Sequence, residues 1–134
     1  MIEILISIII MIESSGNPLA YNKKTGARGL CQITEVCLKD YNDHHQVKYS
    51  KEDLWNPEIN VKIGNWYYNK RIPAMLKHYK IPDSIEHRII AYNWGIGNLR
   101  KWYRKGGDFN KLPKETRDYI KKYYKLLKEV KDEN

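Results

Sequence analysis

An apolar run from Met1 to Ile12, interrupted by only one glutamate and one serine, is the strongest constraint on the fold. A membrane-spanning helix needs about 20 consecutive apolar residues, and this run is well short of that length. It also lacks the basic leader and the small-residue cleavage site of a secretory signal peptide. Gly16 and Pro18 follow at positions where helices commonly stop. We therefore expect residues 1–13 to form a helix that is buried on most sides in a folded core.

Apolar residues further along the chain also recur at the spacing of α-helices. The first of these predicted helices covers residues 30–42, and the second begins at Asn56 and Pro57 and is kinked or ended by Pro73. The third has Asp83 and Glu86 as its capping box and ends at Gly95. Two more are predicted over residues 98–105 and from Pro113 through Val130. Residues 42–53 are predicted to form a surface loop. A small hairpin within residues 18–32 stays open, but no segment predicts a longer strand. The sequence therefore predicts one all-α domain over residues 1–134.

Charge and cysteine content bear on the possible partners. The chain has 24 lysines and arginines against 16 aspartates and glutamates, a formal net charge of +8. Nucleic acid, anionic lipid and the acidic glycopeptide of a bacterial wall are all compatible with this excess, and so is an ordinary solvated lysine surface.

Cys31 and Cys37 are too few for a disulfide framework and are predicted to be free buried thiols. His44 and His45 lack a partner motif for metal binding, and we expect a monomer without metal or cofactor.

Glu13 stands at the end of the apolar run, in an unusual context for a carboxylate. Apolar neighbours and the negative end of a helix dipole both disfavour its charged form. A carboxylic acid kept neutral in this way suits general acid catalysis, for example the protonation of a glycosidic oxygen. The context alone leaves two interpretations open, because the Glu13 side chain could equally project into water.

Five short segments strengthen the catalytic interpretation of Glu13. They are Glu-Ser-Ser-Gly-Asn-Pro at 13–18, Gly-Ala-Arg-Gly-Leu-Cys-Gln-Ile at 26–33, Asn-Pro-Glu-Ile-Asn-Val at 56–61 with Gly64 and Tyr67, Ala-Tyr-Asn-Trp-Gly at 91–95, and Glu-Thr-Arg-Asp-Tyr at 115–119. Together these segments resemble the soluble lytic transglycosylase family. Each motif is modest evidence by itself, and their shared order along most of the chain is the stronger evidence.

This resemblance implies a goose-lysozyme-like helical fold with a groove for the alternating N-acetylglucosamine and N-acetylmuramic acid glycan of peptidoglycan. Glu13 aligns with the catalytic glutamate, which protonates the bridging oxygen and then, as a carboxylate, takes the proton of the muramoyl C6 hydroxyl. That hydroxyl attacks C1 and leaves a 1,6-anhydro end without consuming water. The implied partners are peptidoglycan strands rather than nucleic acid. The implied place of action is the cell wall, in the periplasm, outside the cell or by phage delivery, although the chain shows no signal peptide.

The resemblance also implies a set of substrate-binding residues. The candidates are Ser14, Cys31, Gln32, Tyr92, Asn93, Trp94, Glu115 and Tyr119. Several have an equally ordinary structural interpretation: Asn93 can close a turn, Glu115 can interact with a helix dipole, and Tyr119 can pack in the core. Cys31 stands where the family commonly has a methionine on the groove floor, and Gly16 replaces a frequent aromatic residue.

The sequence leaves two alternatives to transglycosylation open. A muramidase of the same fold would use a second carboxylate, roughly 6.5 to 9.5 Å from the first in inverting enzymes. Residues 14–34 contain no aspartate or glutamate, so a more distant segment would have to supply that group, with Asp40, Asp43 and Asp53 as candidates. The other alternative is a basic module that binds wall polymer or nucleic acid without cutting it, and the presence of Glu13 argues against it.

Overall fold

The structure, a computed structural model, describes residues 3–132. Its elements are, in chain order, α1 (Ile6–Ser14), α2 (Glu35–His45), a 3₁₀ helix (Lys51–Trp55), α3 (Pro57–Trp66), a π-helical turn (Tyr67–Arg71), α4 (Ile72–His78), α5 (Ile85–Trp94), α6 (Ile96–Arg104), a second 3₁₀ helix (Phe109–Lys111) and α7 (Lys114–Asp132). Arg28 makes isolated antiparallel bridges to Tyr21 and Ile33, and the described residues form no strand. The all-α prediction, with at most a minimal hairpin, is confirmed.

The chain forms two compact units. The N-terminal unit comprises residues 5–67, and the C-terminal unit comprises residues 68–132 together with residues 3–4. In the N-terminal unit, α1 and α2 pack on α3, and in the C-terminal unit, α4, α6 and α7 pack on α5. The organisation of residues 1–134 as one catalytic domain stays a prediction.

The first helix starts later than its sequence predicts. α1 begins at Ile6, so the predicted helix is wrong for residues 3–5, while residues 1–2 lie outside the described part of the chain. The Asn69 side chain accepts a hydrogen bond from the Ile4 N–H at 2.7 Å and donates one to the Ile4 carbonyl at 3.0 Å. These two bonds satisfy the backbone of Ile4 outside a helix.

α1 also buries less of its surface than expected. Ile8 and Ile9 are buried, but the Met11 side chain is 51% exposed. The prediction of burial on most sides is therefore wrong. The buried residues of α1 are Ile8 and Ile9. The prediction failed because apolar composition alone does not show which face of a short helix packs against neighbouring elements.

A tight turn, not a helix, occupies residues 30–34. Thr34 caps α2 by accepting a hydrogen bond from the Cys37 N–H at 3.3 Å, so the helix begins after it. Gln32 has a left-handed backbone with φ of 52°, which is incompatible with a continuous right-handed helix. The predicted start of this helix is wrong, and residues 42–45, expected in a loop, form its last turn.

Two side-chain caps order the segment that leads into α3. Ser50 and Asp53 form a reciprocal capping box on the first 3₁₀ helix, inside the predicted loop over residues 42–53. Asn56 accepts hydrogen bonds from the backbone N–H groups two and three residues later, as predicted from its position before Pro57. The chain therefore enters α3 from a fixed direction.

Pro73 changes the helix in the manner its position predicts. α3 passes into the π-helical turn Tyr67–Arg71, and α4 then begins with Pro73 in its first turn. A proline inside a continuous α-helix would lack its N–H donor and clash with the carbonyl four residues earlier. The wider turn avoids both problems, because it places Pro73 where no intrahelical donor is required.

Ser84, and not Asp83, caps α5. The Ser84 hydroxyl accepts from the backbone N–H three residues later at 3.1 Å. Asp83 instead binds the buried guanidinium of Arg88 through both carboxylate oxygens, each at 2.7 Å. Glu86 accepts a hydrogen bond from the Tyr124 hydroxyl at 2.6 Å. The predicted capping box is therefore wrong, because both carboxylates have partners outside the first turn.

The ends of the later helices follow the predicted turn residues closely. Gly95 ends α5, as predicted, and α6 begins at Ile96, two residues before its predicted start. α7 begins directly after Pro113. Within α7, Tyr119 and Tyr123 are buried, in agreement with the predicted apolar stripe.

The buried amide of Asn60 holds the N-terminal unit together around the 28–31 turn. Its side chain is 0% exposed, and its Oδ1 accepts from the Cys31 N–H at 2.8 Å. Its Nδ2 donates to the carbonyls of Arg28 at 2.8 Å and Leu54 at 2.9 Å. One side chain therefore ties the turn, the 3₁₀ helix and α3 to each other.

Two glycines make room for this arrangement. A Cβ on Gly29 would lie 2.2 Å from Asn60 Nδ2, and the residue has a positive φ of 78°. A Cβ on Gly64 would lie 2.7 Å from Cys31 Sγ. Because such distances are shorter than any real contact, both positions require glycine for the turn to lie directly on α3.

We predict that Asn60→Ala lowers the free energy of unfolding by about 3 kcal/mol, because the buried Cys31 N–H and Leu54 carbonyl lose the amide. The Arg28 carbonyl also loses it and keeps only its bond from the Ile33 N–H. Urea denaturation measures this loss. Asn110→Ala, on the exposed second 3₁₀ helix, is the matched control and should change stability little. Equal losses in the two variants would show that the buried amide does not hold the turn.

Candidate active site

Glu13 lies in the last turn of α1 and is half-buried. The helix ends immediately afterwards, where Ser15 takes a left-handed φ of 54° and its N–H donates to the Met11 carbonyl at 3.2 Å. Ser14 closes the same turn: its hydroxyl donates to the Ile10 carbonyl at 3.0 Å and accepts from the Gly16 N–H at 3.2 Å. The chain therefore holds the Glu13 backbone in a defined helix end.

Glu13 is also close enough to Cys31 to influence it electrostatically. Burial raises the pKa of the Cys31 thiol to about 12, and the negative charge of Glu13 adds to the increase. Cys31 thus remains a neutral thiol at physiological pH and presents Glu13 with a weakly polar neighbour. Within the N-terminal unit, the structure brings these two sequence-predicted residues together.

Cys31 does not suit the direct substrate contact implied for it. Its side chain is 0% exposed and lies against Gly64, whose missing Cβ leaves the space that the sulfur fills. A side chain with no exposed surface supports a groove from beneath rather than lining it. The burial of Cys31 favours a supporting role, and the substrate contact expected for it stays a prediction.

Gln32 is half-buried and directs its amide nitrogen into the loop. Nε2 donates to the carbonyls of Ala20 and Gly29, each at 3.1 Å. Because both neighbours are acceptors, the orientation of the amide is fixed and its Oε1 points away from them. Oε1 has no hydrogen-bond partner among the described residues, so an acceptor remains available for a ligand.

Tyr92, in the C-terminal unit, rests on a buried pair of tyrosines. Its ring stacks on Tyr68, with centroids 3.8 Å apart and an interplanar angle of 18°. The Tyr68 hydroxyl lies 2.9 Å from the Tyr119 hydroxyl, and both side chains are buried. Tyr119 thus packs in the core and bonds to the tyrosine on which Tyr92 stacks, while a role of Tyr119 in substrate binding stays a prediction.

Asn93 is fixed by the last helix. The Thr116 hydroxyl, at a side chain that is almost wholly buried, donates to Asn93 Oδ1 at 2.7 Å. Asn93 is half-buried, and this bond occupies its amide oxygen, so the NH₂ group is the end of the amide that this bond leaves unused. The bond is part of the structure and does not decide between the structural and the ligand-binding interpretations.

Trp94 and Glu115 occupy more open positions. Trp94 is half-buried at the end of α5, and its carbonyl accepts from Asn98 Nδ2 at 2.7 Å. Glu115 is exposed in the first turn of α7, a position that is also favourable for a carboxylate near a helix N-terminus.

Three supporting residues had no predicted role: Asn60, Tyr68 and Thr116. Asn60 and Thr116 lie within the 56–61 and 115–119 motifs. Asn60 falls on the apolar side of α3, where a polar residue is a recognisable signal of a buried hydrogen-bond network. Tyr68 and Thr116 have no comparable signal, because tyrosine and threonine are common at helical core and surface positions alike.

The described residues contain neither a candidate metal-binding cluster nor a candidate membrane-spanning helix. No group of three or more histidine, cysteine, aspartate or glutamate side chains is placed to hold a metal ion. Across the described segment, no helix has both the length and the apolar composition needed to cross a membrane.

Comparison with known proteins adds independent information. The sequence profile of the family described as "Transglycosylase SLT domain" matches residues 2–114. The chain is also 29% identical over 104 residues to the endo-type membrane-bound lytic murein transglycosylase A of Cronobacter sakazakii. This alignment covers 74% of the chain and 50% of the relative, so the chain spans about half the length of that curated protein.

We predict an energetic coupling of about 1 kcal/mol between Thr116 and Asn93, measured by a double-mutant cycle of Thr116→Val and Asn93→Ala in thermal unfolding. The coupling is expected because valine keeps the shape of threonine but removes the hydroxyl donor. Additive effects of the two substitutions would contradict a direct bond between these side chains.

We also predict that the Cys31 thiol makes the free energy of unfolding depend on pH in the alkaline range. Below pH 9.0, its ordinary pKa, the folded and unfolded chains both keep the thiol proton. Between that value and about 12 only the unfolded chain releases it, so this thiol lowers stability by about 1.4 kcal/mol per pH unit.

Alkaline unfolding curves for the parent and Cys31→Ala measure this contribution. The variant should lose less stability than the parent over the same pH window, whatever its stability at neutral pH. Parallel curves would show that the buried thiol does not stay protonated in the fold.

Proposed function

The chain belongs to the transglycosylase SLT domain family, and we propose that it is a peptidoglycan lytic transglycosylase with Glu13 as its single catalytic acid and base. The proposed reaction cleaves the β-1,4 bond between N-acetylmuramic acid and N-acetylglucosamine and leaves a 1,6-anhydromuramoyl end. The position of Glu13, half-buried at the end of α1 and beside the neutral Cys31 thiol, is the observation that carries the proposal.

The engagement of nearby acidic side chains supports a mechanism with one carboxylate. Residues 14–34 contain no aspartate or glutamate. Asp43 pairs with Lys39 at 2.7 Å, and Asp53 accepts from the Ser50 N–H at 2.8 Å in its capping box. Asp40 lies 3.1 Å from the His44 ring nitrogen. Each of the three candidate aspartates for a hydrolase of this fold therefore has a local structural partner.

In the proposed reaction, protonated Glu13 gives its proton to the bridging oxygen as the bond to C1 breaks. The resulting carboxylate then takes the proton of the muramoyl C6 hydroxyl while that oxygen forms a bond to C1. Glu13 ends the cycle protonated again, and both pieces of the glycan leave without the entry of water. A second carboxylate is dispensable in this scheme because the attacking hydroxyl belongs to the substrate.

Polar side chains held by the fold are proposed to orient the glycan. Gln32 offers Oε1 as an acceptor, and Asn93 offers Nδ2 as a donor, because the other end of each amide is already bonded within the protein. Tyr92 and Trp94 present aromatic surfaces at the end of α5, and Ser14 and Glu115 complete the proposed set. Amides fixed in this way lose little conformational freedom on binding.

The proposed partner and setting follow from the same chemistry. We propose peptidoglycan glycan strands as the substrate and the cell wall as the place of action. The formal net charge of +8 favours approach to the acidic wall. We further propose that the protein acts as a monomer without cofactor, since the reaction needs only a proton donor and the substrate's own hydroxyl.

We predict that Glu13→Gln lowers the rate of peptidoglycan cleavage by about a thousandfold, because the amide can neither donate nor accept the transferred proton. Glu129→Gln, exposed on α7, is the matched control and should retain activity. Turbidity loss of wall suspensions gives the rate, thermal unfolding confirms that both variants fold, and mass spectrometry identifies the ends of the fragments.

Fragments with anhydro ends from the parent are the expected product. A Glu13→Gln variant as active as the parent would remove the assignment of Glu13. Reducing ends would instead show that the protein is a muramidase. Binding of the glycan by the parent without cleavage would show that it is a binding module.

A further inference from the structure

The C-terminal unit contains a pocket that the proposed chemistry at Glu13 does not use. It has a volume of about 320 Å³ and lies among the end of α5, one side of α6 and the second 3₁₀ helix. Its lining includes two indoles, three lysines and one carboxylate: Trp94, Trp102, Lys101, Lys105, Lys111 and Asp108. The volume is at the small end for ligand pockets and suits a short segment of a polymer.

Hydrogen bonds within the chain hold the walls of this pocket in place. Trp102 Nε1 donates to the Asp108 carbonyl at 2.8 Å, which fixes the indole relative to the following turn. Gly107 lies against the same ring, because a Cβ there would be 3.6 Å from it. Asn98 Nδ2 donates to the Trp94 carbonyl at 2.7 Å and joins α5 to α6 at the pocket edge. The aromatic surfaces are therefore already ordered before a ligand arrives.

The pocket carries an excess of positive charge. Lys101, Lys105 and Lys111 are exposed, and none forms an ion pair with a carboxylate among the described residues. The only acidic lining residue is Asp108, whose Oδ1 accepts from the Asn110 N–H at 3.0 Å and caps the 3₁₀ helix. Three ammonium groups face one carboxylate that is already engaged, so an anionic ligand fits the pocket better than a neutral one.

One wall of the pocket is adjacent in the chain to residues proposed to hold the glycan. Trp94 lines it and directly follows Tyr92 and Asn93 in the last turn of α5. A glycan that binds at Tyr92 and Asn93 would therefore bring the groups attached to its sugars towards α6. Indoles stack on the apolar faces of sugars and short side chains, while ammonium groups pair with carboxylates.

We propose that this pocket binds the carboxylate-bearing stem peptide that hangs from the muramoyl residues of the glycan. The proposal rests on the proposed function, because it takes peptidoglycan as the substrate, and it adds a determinant of which strands are bound. Lys101, in the last turn of α6, and Lys105, the residue directly after α6, pair with the peptide carboxylates, and the two indoles contact the apolar parts of the peptide.

The test measures binding in the full chain with Glu13→Gln, so that the glycan is not cut during titration. The ligands are one muramoyl oligosaccharide with free-acid stem peptides, the same oligosaccharide with amidated stems, and the same oligosaccharide without peptides. Lys101→Gln/Lys105→Gln removes two charges from the pocket. Lys122→Gln/Lys125→Gln removes two exposed charges from α7 and is the matched control.

We expect the parent pocket to bind the free-acid ligand roughly three- to tenfold more tightly than the other two ligands, with the preference reduced at high salt. The Lys101→Gln/Lys105→Gln variant should lose that preference, and the α7 control should keep it. Indole N–H signals of Trp94 and Trp102 in NMR spectra should shift with the stem-bearing ligands.

Equal binding of the three ligands by the parent pocket, or an unchanged preference in the Lys101→Gln/Lys105→Gln variant, would overturn the proposal even if Glu13 is catalytic. A preference of the pocket for a polyol-phosphate oligomer over the free-acid stem would also overturn it, in favour of a phosphate ligand. Cleavage by Glu13→Gln would instead overturn the catalytic assignment and leave the binding result standing.

Discussion

The buried amide of Asn60 is the interaction on which the N-terminal unit depends. By bonding to the Cys31 N–H and to two backbone carbonyls, it holds a loop with little regular structure against α3. Gly29 and Gly64 permit the close approach. Cys31 is thereby placed beside Glu13, and the left-handed Gln32 that follows it is fixed by its own side-chain bonds. The three hydrogen bonds of one buried amide thus position the residues around Glu13, the proposed acid.

The C-terminal unit uses the same principle with different residues. Tyr92 rests on Tyr68, which pairs with Tyr119, and Asn93 is held by Thr116. In both units, the half-buried polar groups proposed to meet the glycan are supported by fully buried groups that meet only protein. Such support restricts the side-chain orientations before substrate binds, which is the general requirement for a preorganised site.

The sequence predicted those features that local physics determines. The helical period, the Asn56 cap and the stop at Gly95 required only neighbours along the chain. The start of α1 was predicted wrongly because a residue distant in the sequence determines it: the Asn69 side chain binds the backbone of Ile4 outside a helix. Glu13 was identifiable through its motif. The position of Asn60 on the apolar side of α3 signals a buried hydrogen bond, but the sequence does not show which distant segments supply its partners. The proposed binding residues remain predictions for the same reason.

The central claim is that the hydroxyl of the substrate, and not water, attacks the sugar after Glu13 releases its proton. Digestion of peptidoglycan in water enriched in heavy oxygen, followed by mass spectrometry of the new ends, tests this directly. Attack by the substrate hydroxyl gives anhydro ends that contain no heavy oxygen. Reducing ends that each carry one heavy oxygen would contradict it, because they would show that a water molecule had completed the cut.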